Sequence, residues 1–224
     1  MFSYKFNKLK IGKVVSGIAL GFSGKVGDHV FTQQPNGETH VQQAPQKSDL
    51  PPTEKQLGNR QEIALNSVFV KVVGDFLAVG FALQGKIEKL SGANSATRYN
   101  RKQAFVGEYP NRRMDFSKVL VSKGNMPAPT GAAVSKNEFG FIFTWDTKSE
   151  EKGTHYSDQV MLLVYFPEIE KAEYIIAASQ RSRGTEMLSL GRIASGNVGH
   201  VYISFIEDNR KSVSDSVYLG QLIW

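Results

Sequence analysis

The residue types that most often carry chemistry are few in this chain and are not arranged for it. The 224 residues include no cysteine and four histidines, which excludes disulfides, thiolate metal sites and cysteine nucleophiles. The histidines, His29, His40, His155 and His200, match neither a helical i, i+4 pair nor a metal-ligand spacing. The sequence therefore predicts no metal and no cofactor.

The only serine in a conspicuous setting is Ser23, which lies between Gly21 and Gly24. Lys25 stands where a G-x-S-x-G nucleophile elbow requires its last glycine. Neither the phosphate-binding loop G-x-x-x-x-G-K-[ST] nor the dinucleotide motif G-x-G-x-x-G occurs after a predicted strand. These absences predict a protein that is not an enzyme and has no evident small-molecule substrate.

Charge is distributed unevenly along the chain. Residues 1–127 contain 18 Lys and Arg and 9 Asp and Glu, a balance of +9, whereas residues 128–224 contain 9 and 12, a balance of −3. This asymmetry indicates either a basic half that binds a polyanion or attraction between the unlike halves of neighbouring copies. A basic surface that serves only solubility is the alternative.

The densest group of cations lies between residues 98 and 123, where aromatic residues alternate with them. Cations neutralise phosphates and aromatic rings stack on bases, so this segment is a candidate contact for single-stranded nucleic acid. A solvated basic face beside buried aromatic rings explains the same residues, and no known nucleic-acid-binding motif accompanies them. The predicted contacts are Arg98, Arg101, Lys102, Arg112, Arg113 and Lys118.

Residues 1–52 are predicted to form an extended glycine-rich basic arm and linker. The dipeptide Asn36-Gly37 between two short β-prone runs predicts a β-hairpin. A segment with apolar side chains and no core of its own gains stability only on another surface, so we expect self-association through the arm. The alternative is that the arm folds back on its own helical segment. The predicted contacts between copies are Phe22, Val26, Val30 and Phe31.

Residues 53–126 are predicted to form a short helical segment. Thr53 and Gln56 have the spacing of a capping box. The apolar residues that recur at helical spacing are Leu57, Ala64, Val68, Val72 and Phe76, and Ile63, Leu65 and Phe69 widen this stripe toward a buried face. Glycines 74 and 80 leave two possibilities for the continuation to residue 90, a second helix or a kinked extension. Residues 91–95 are predicted to be a loop.

Two features that the sequence lacks concern the location of the protein in the cell. We see no apolar run approaching the roughly 18 residues needed to span a bilayer, and no secretory signal at the N-terminus. The sequence therefore predicts a cytoplasmic or virion protein with no membrane contact.

Residues 127–224 carry the pattern of a β-sandwich. Phe139, Phe141, Phe143 and Trp145 recur at every second position, which predicts a strand with one buried face. About seven short strands separated by turn residues are typical of a fibronectin-III or immunoglobulin-like sandwich. The fold class predicted for the whole chain is α+β.

Seven short blocks, taken in order, resemble one family. They are Gly12-Lys13, Gly21–Gly27, Pro51–Arg60, Ala104–Pro110, Asp115–Gly124, Phe143–Asp146 and Ser214–Gly220. In order and spacing they resemble the domain of unknown function 6266 family, found mainly in Bacteroidota and sometimes in mobile-element settings. The resemblance covers nearly the whole chain. It implies that arm, helical segment and sandwich recur as one unit, and it implies no activity or catalytic residue.

Together these patterns predict a non-enzymatic structural or assembly protein. The form we expect is a phage virion or capsid-associated protein that self-associates through its N-terminal arm, with copies of itself as partners. The alternative is a sequence-independent nucleic-acid-binding protein that uses the cations of residues 98–123.

Overall fold

The chain forms two compact units, Met1–Pro51 and Pro52–Trp224. The computed structural model describes residues 11–15, 17, 19–34, 36–45, 50–147 and 153–224. The helices and the later strands, which the sequence pattern separates near residue 127, lie in the same unit.

The first unit contains a four-stranded antiparallel sheet. Its strands are β1 (Ile11–Val14), β2 (Gly24–Val26), β3 (His29–Gln33) and β4 (Thr39–Gln43), in the order β1-β4-β3-β2. Strands β3 and β4 form the predicted hairpin, and Gly37 in its turn has a φ of +82°, a conformation that favours glycine. The described part of the segment predicted as an extended arm is thus a sheet, because β1 and β2 pair with the two sides of the hairpin.

The second unit begins with helix α1 (Glu54–Gly80). The predicted capping box is present: Thr53 Oγ1 accepts a hydrogen bond from the Gln56 amide at 3.3 Å, and Gln56 Oε1 accepts one from the Thr53 amide at 2.9 Å. The structure has both features predicted for the continuation. The helix α1 is kinked at Val73, which has non-helical φ and ψ of −112° and 15° next to Gly74, and a second helix, α2 (Ala82–Glu88), follows after Phe81.

A third helix, α3 (Gly92–Gln103), begins where the sequence predicted a loop over residues 91–95. Ser91 caps it, since its side chain accepts a hydrogen bond from the Asn94 amide at 3.2 Å. The loop prediction was wrong because the first turn consists of small and polar residues. These residues favour loops on average, yet they fit where a helix starts close to another backbone.

The predicted apolar stripe of α1 is only half right. Phe69 and Phe76 are buried as expected, whereas Ile63 and Leu65 are exposed. In this first half the helix buries a different stripe, made of Gly58, Glu62 and Asn66. Asn66 Nδ2 donates to Thr97 Oγ1 on α3 at 3.2 Å, so a polar contact between helices has replaced the apolar one.

The strands that the structure describes in the rest of the unit pair antiparallel. A short pair, β5 (Phe105–Val106) and β6 (Arg113–Met114), precedes seven further strands in two sheets, of order β10-β9-β12-β13 and β11-β8-β7. The seven are β7 (Ala133–Lys136), β8 (Gly140–Thr144), β9 (Gln159–Phe166), β10 (Lys171–Ile175), β11 (Thr185–Ser189), β12 (Val198–Ile206) and β13 (Val217–Ile223).

Strands β9 and β12 contribute to two apolar clusters, one on each face of their sheet. Leu162 and Val164 of β9 cluster with Phe141 and Phe143 of β8. The intervening residues of β9, such as Leu163, cluster with side chains of α1 instead. Burial on both faces explains why the sequence of β9 is a continuous apolar run rather than an alternating one.

One member of the predicted buried row lies outside it. Phe141, Phe143 and Trp145 are buried, but Phe139 is 60% exposed. It lies in the turn before β8, where Asn137 Oδ1 accepts hydrogen bonds from the amides of residues 139 and 140, each at 2.9 Å. The strand alternation therefore begins one residue too late to include Phe139.

The expectation that no segment could span a membrane needs correction. An 18-residue window within α1 has a mean hydropathy of 1.7, so by length and composition alone this helix could cross a bilayer. The window contains two charged residues, Lys71 and Asp75, so a search for unbroken apolar runs does not find it. Core helices of globular proteins pass the same test, and α1 contributes Phe76 and Leu77 to a buried cluster.

Candidate functional site

A pocket of about 680 Å³ opens between the first turns of α1 and the turn that joins β5 to β6. The capping box fixes the start of α1, which places Lys55, Asn59 and Glu62 on the pocket's helical wall. The opposite wall carries Tyr109 and Arg112. We call this feature the α1 pocket.

Glu62 is a buried carboxylate in the lining of the α1 pocket. Its carboxylate accepts a hydrogen bond from Arg112 Nη2 at 2.8 Å and another from Arg101 Nη2 at 3.3 Å. Arg101 also donates to Asn59 Oδ1, and Arg112 Nη1 donates to the Gly107 carbonyl at 3.0 Å. The charged residues that line the pocket are three carboxylates, Glu54, Glu62 and Glu108, and two cations, Lys55 and Arg112, so the lining carries one net negative charge.

The guanidinium groups retain unused donors. Within the described ranges, neither Arg101 Nε nor Arg112 Nε has a hydrogen-bond acceptor, although both atoms are buried. A buried donor without an acceptor costs about 1–3 kcal/mol. Because both atoms are inaccessible, a molecule in the open pocket cannot supply the missing acceptor.

Four of the six cations predicted to contact nucleic acid lie within 4 Å of a carboxylate. Arg101 and Arg112 meet at Glu62, whereas Arg98 lies 3.8 Å from Glu88. Lys118 lies 3.2 Å from Asp115.

Lys102 and Arg113 are exposed, and neither forms an ion pair with a residue that the structure describes. Because four of the six cations already have a carboxylate partner, less positive charge is available to a polyanion than the sequence suggests. Nucleic-acid binding through these residues stays a prediction.

Sequence reasoning missed Glu62, the residue on which the pocket depends. The available signal was the stripe Gly58, Glu62, Asn66, with small or polar residues at every fourth position of α1. Such a stripe beside an apolar one indicates a second helix face that packs through polar contacts.

One face of the N-terminal sheet, β1 to β4, carries most of its apolar side chains, and we call it the apolar face. Side chains directly opposite each other in paired strands share a face, and the register places Val14, Val26, Phe31 and Val41 on this one. The polar residues on the same face are His29, Gln33, Thr39 and Gln43. Phe22 lies beside this apolar face, with its ring centroid 6.4 Å from that of Phe31.

The other face of the N-terminal sheet is polar and includes Val30. In the register, Val30 lies opposite Lys25, and Lys13 lies opposite His40. Of the four predicted contacts between copies, Phe22, Val26 and Phe31 therefore lie together, and Val30 lies on the opposite face.

The histidines do not form a metal site in the part of the chain that the structure describes, where no group of three or more His, Cys, Asp or Glu is placed to hold an ion. His200 is buried in β12, and its Nδ1 lies 3.0 Å from Tyr218 Oη. Its ring packs on Phe116, with centroids 4.1 Å apart. Burial lowers the pKa of His200.

The lowered pKa of His200 predicts a loss of stability in mild acid. As the pH falls below about 6.5, the unfolded chain binds a proton at this residue before the folded chain does, so the free energy of unfolding falls. His200→Gln should flatten this dependence between about pH 7 and pH 5 in denaturant unfolding. His155→Gln is the control, since His155 is exposed. An unchanged slope in His200→Gln would contradict the prediction.

Comparison with known proteins gives one family. No curated protein and no solved structure matches the chain. A model of a family of unknown function, DUF6266, matches residues 21–220, which run from the segment before β2 to a position within β13. The match spans most of the chain and is to the family that the sequence blocks resemble. The chain therefore belongs to the DUF6266 family.

Proposed function

We propose that the protein is a non-enzymatic assembly protein that self-associates through the apolar face of its N-terminal sheet. One observation carries the proposal: among the described residues of the first unit, only Thr39 is buried. A single-layer sheet of short strands needs a second layer over its apolar face to be stable. A second copy of the chain supplies that layer.

The exposed side chains of the first unit support a second copy of the chain as the partner. Phe22 and Val26 are 47% and 58% exposed, and both lie at the end of the sheet formed by β2. Strand β2 is an edge strand of three residues, so its outer backbone groups are also available to pair with another chain. Apolar cover and strand addition together favour contact with a protein surface.

The strands of the second unit fit the proposal, because a rigid sandwich can serve as the scaffold of an assembly protein. We infer that residues 127–224 form a sandwich of fibronectin-III type, because seven antiparallel strands in sheets of four and three share one apolar cluster. Such a sandwich displays a rigid surface and needs no catalytic machinery. A virion or capsid-associated role follows if copies assemble into closed particles.

The two faces of the sheet allow a matched test of self-association. Replacing Phe22 and Val26 together by Ser removes apolar area that the contact buries, and we expect association to weaken by about 100-fold, equivalent to about 3 kcal/mol. Val30→Ser removes an apolar side chain from the opposite face and should leave association unchanged. Light scattering at micromolar concentrations measures the mass against the 24.8 kDa monomer.

Two outcomes would contradict self-association. One is an intact protein that stays monomeric at high micromolar concentration. The other is an oligomer that Phe22→Ser/Val26→Ser leaves as stable as Val30→Ser does. Electron microscopy of the oligomer then distinguishes closed shells, which a capsid-associated role requires, from small assemblies.

A further inference from the structure

We propose that self-association through the N-terminal sheet weakens in mild acid, because His29 on the apolar face has to be neutral when a second copy covers it. This inference rests on the proposed function, since it assigns regulation to the same face. Strand β3 begins at His29, and the register places this residue opposite Val26 of β2 and Gln43 of β4. The imidazole therefore lies on the face that carries Phe31.

The apolar face carries a single ionisable side chain among the strand residues that the structure describes, and it is that of His29. The other residues of this face are apolar residues, glycines and the neutral polar residues Gln33, Thr39 and Gln43. His29 is exposed in the single chain, where water solvates its imidazole in either protonation state. Only contact with a second copy would remove it from water.

The other charged or titratable residues described in the first unit lie on the opposite face or in a turn. Lys13, Lys25 and His40 are on the opposite face in the register. Glu38 pairs with Lys13, and its carboxylate lies 3.5 Å from His40 Nε2. Asp28 is exposed in the turn between β2 and β3. Of these residue types, only histidine ordinarily changes its charge between about pH 8 and pH 5, and His29 is the histidine on the face that would be covered.

Protonation of His29 opposes association. Covering a charged imidazole with apolar side chains removes the charge from water, which is unfavourable unless a carboxylate accompanies it. The described strands place no carboxylate on the apolar face. The associated state therefore binds a proton at His29 less readily than the dissociated state, so lowering the pH favours dissociation. A two-fold contact covers the same face of both copies, and the effect then occurs at two histidines.

The test is analytical ultracentrifugation of the full chain at about pH 7.5 and about pH 5.5, at constant ionic strength. We expect association to be at least about 10-fold weaker at the lower pH, the change that deprotonation of one histidine gives over this range. His29→Gln does not titrate, so its association should be nearly equal at the two pH values. His29→Lys keeps a charge at both and should associate weakly at both. His40→Gln, on the opposite face, is the matched control and should keep the full pH dependence.

The outcomes separate failure of this inference from failure of the proposed function. Equal association of the intact protein at both pH values overturns the inference and leaves self-association standing. So does a pH dependence that His29→Gln retains in full. Circular dichroism at both pH values detects acid unfolding, and a weakening that accompanies loss of secondary structure and that His29→Gln shares also overturns the inference. An intact protein that is monomeric at both pH values contradicts self-association itself, and the inference with it.

Discussion

Phe143→Ala is expected to lower the free energy of unfolding by about 3–5 kcal/mol, the range for truncation of a buried aromatic side chain. Phe143 is fully buried in β8, opposite Val134 on one neighbouring strand and Glu186 on the other. The cavity left by its ring would lie in the cluster that joins the two sheets. Unfolding in denaturant, followed by fluorescence, measures the change.

Phe139→Ala provides a control of the same residue type from the same part of the chain. Its ring is 60% exposed, and we expect a change of about 0.5 kcal/mol or less. Equal effects of the two substitutions would show that β8 does not bury the face assigned to it. The pair therefore tests the start of the strand as well as the core.

The seven later strands could be predicted from the sequence because their signals are local. Phe141, Phe143 and Trp145 alternate, and the unbroken apolar run of β9 ends at Pro167. Each signal arises within one element, from the alternation of side chains or from a turn residue. Phe139 fits the same alternation in the sequence, but it lies outside the strand because Asn137 forms a turn there.

The elements that were missed depend on contacts between distant segments. The extra strands of the N-terminal sheet are short, and β1 pairs with β4 across a long stretch of sequence. Glu62 becomes the centre of a pocket only because α3 and the β5–β6 turn bring Arg101 and Arg112 to it. Propensity and periodicity carry no information about such pairings.

Arg181 and Asp158 form a buried ion pair in the second unit. Its side chains are 3% and 1% exposed, and Arg181 Nε lies 3.1 Å from Asp158 Oδ2. The guanidinium carbon lies 3.7 Å from the ring centroid of Phe205, and Trp145 Nε1 donates to the Arg181 carbonyl at 2.8 Å. The pair thus anchors the connection between β10 and β11 to the core.

Arg181→Met should lower the free energy of unfolding by about 3–5 kcal/mol, because the Asp158 carboxylate then stays buried without its partner. Arg183→Met is the matched control: Arg183 lies two residues away, its side chain is 64% exposed, and its ion pair with Glu186 spans 3.8 Å. An exposed pair of this kind contributes at most about 1 kcal/mol.

The double variant Arg181→Met/Asp158→Asn distinguishes the loss of a charge partner from the loss of packing. If the single variant is unstable because it leaves an uncompensated charge, removing that charge should recover about 2 kcal/mol or more, so the two substitutions are strongly non-additive. If the guanidinium matters only for its packing on Phe205, the double variant is no more stable than Arg181→Met. Additive losses in denaturant unfolding, or equal losses in Arg181→Met and Arg183→Met, would contradict the assignment of a buried ion pair that holds this connection in place.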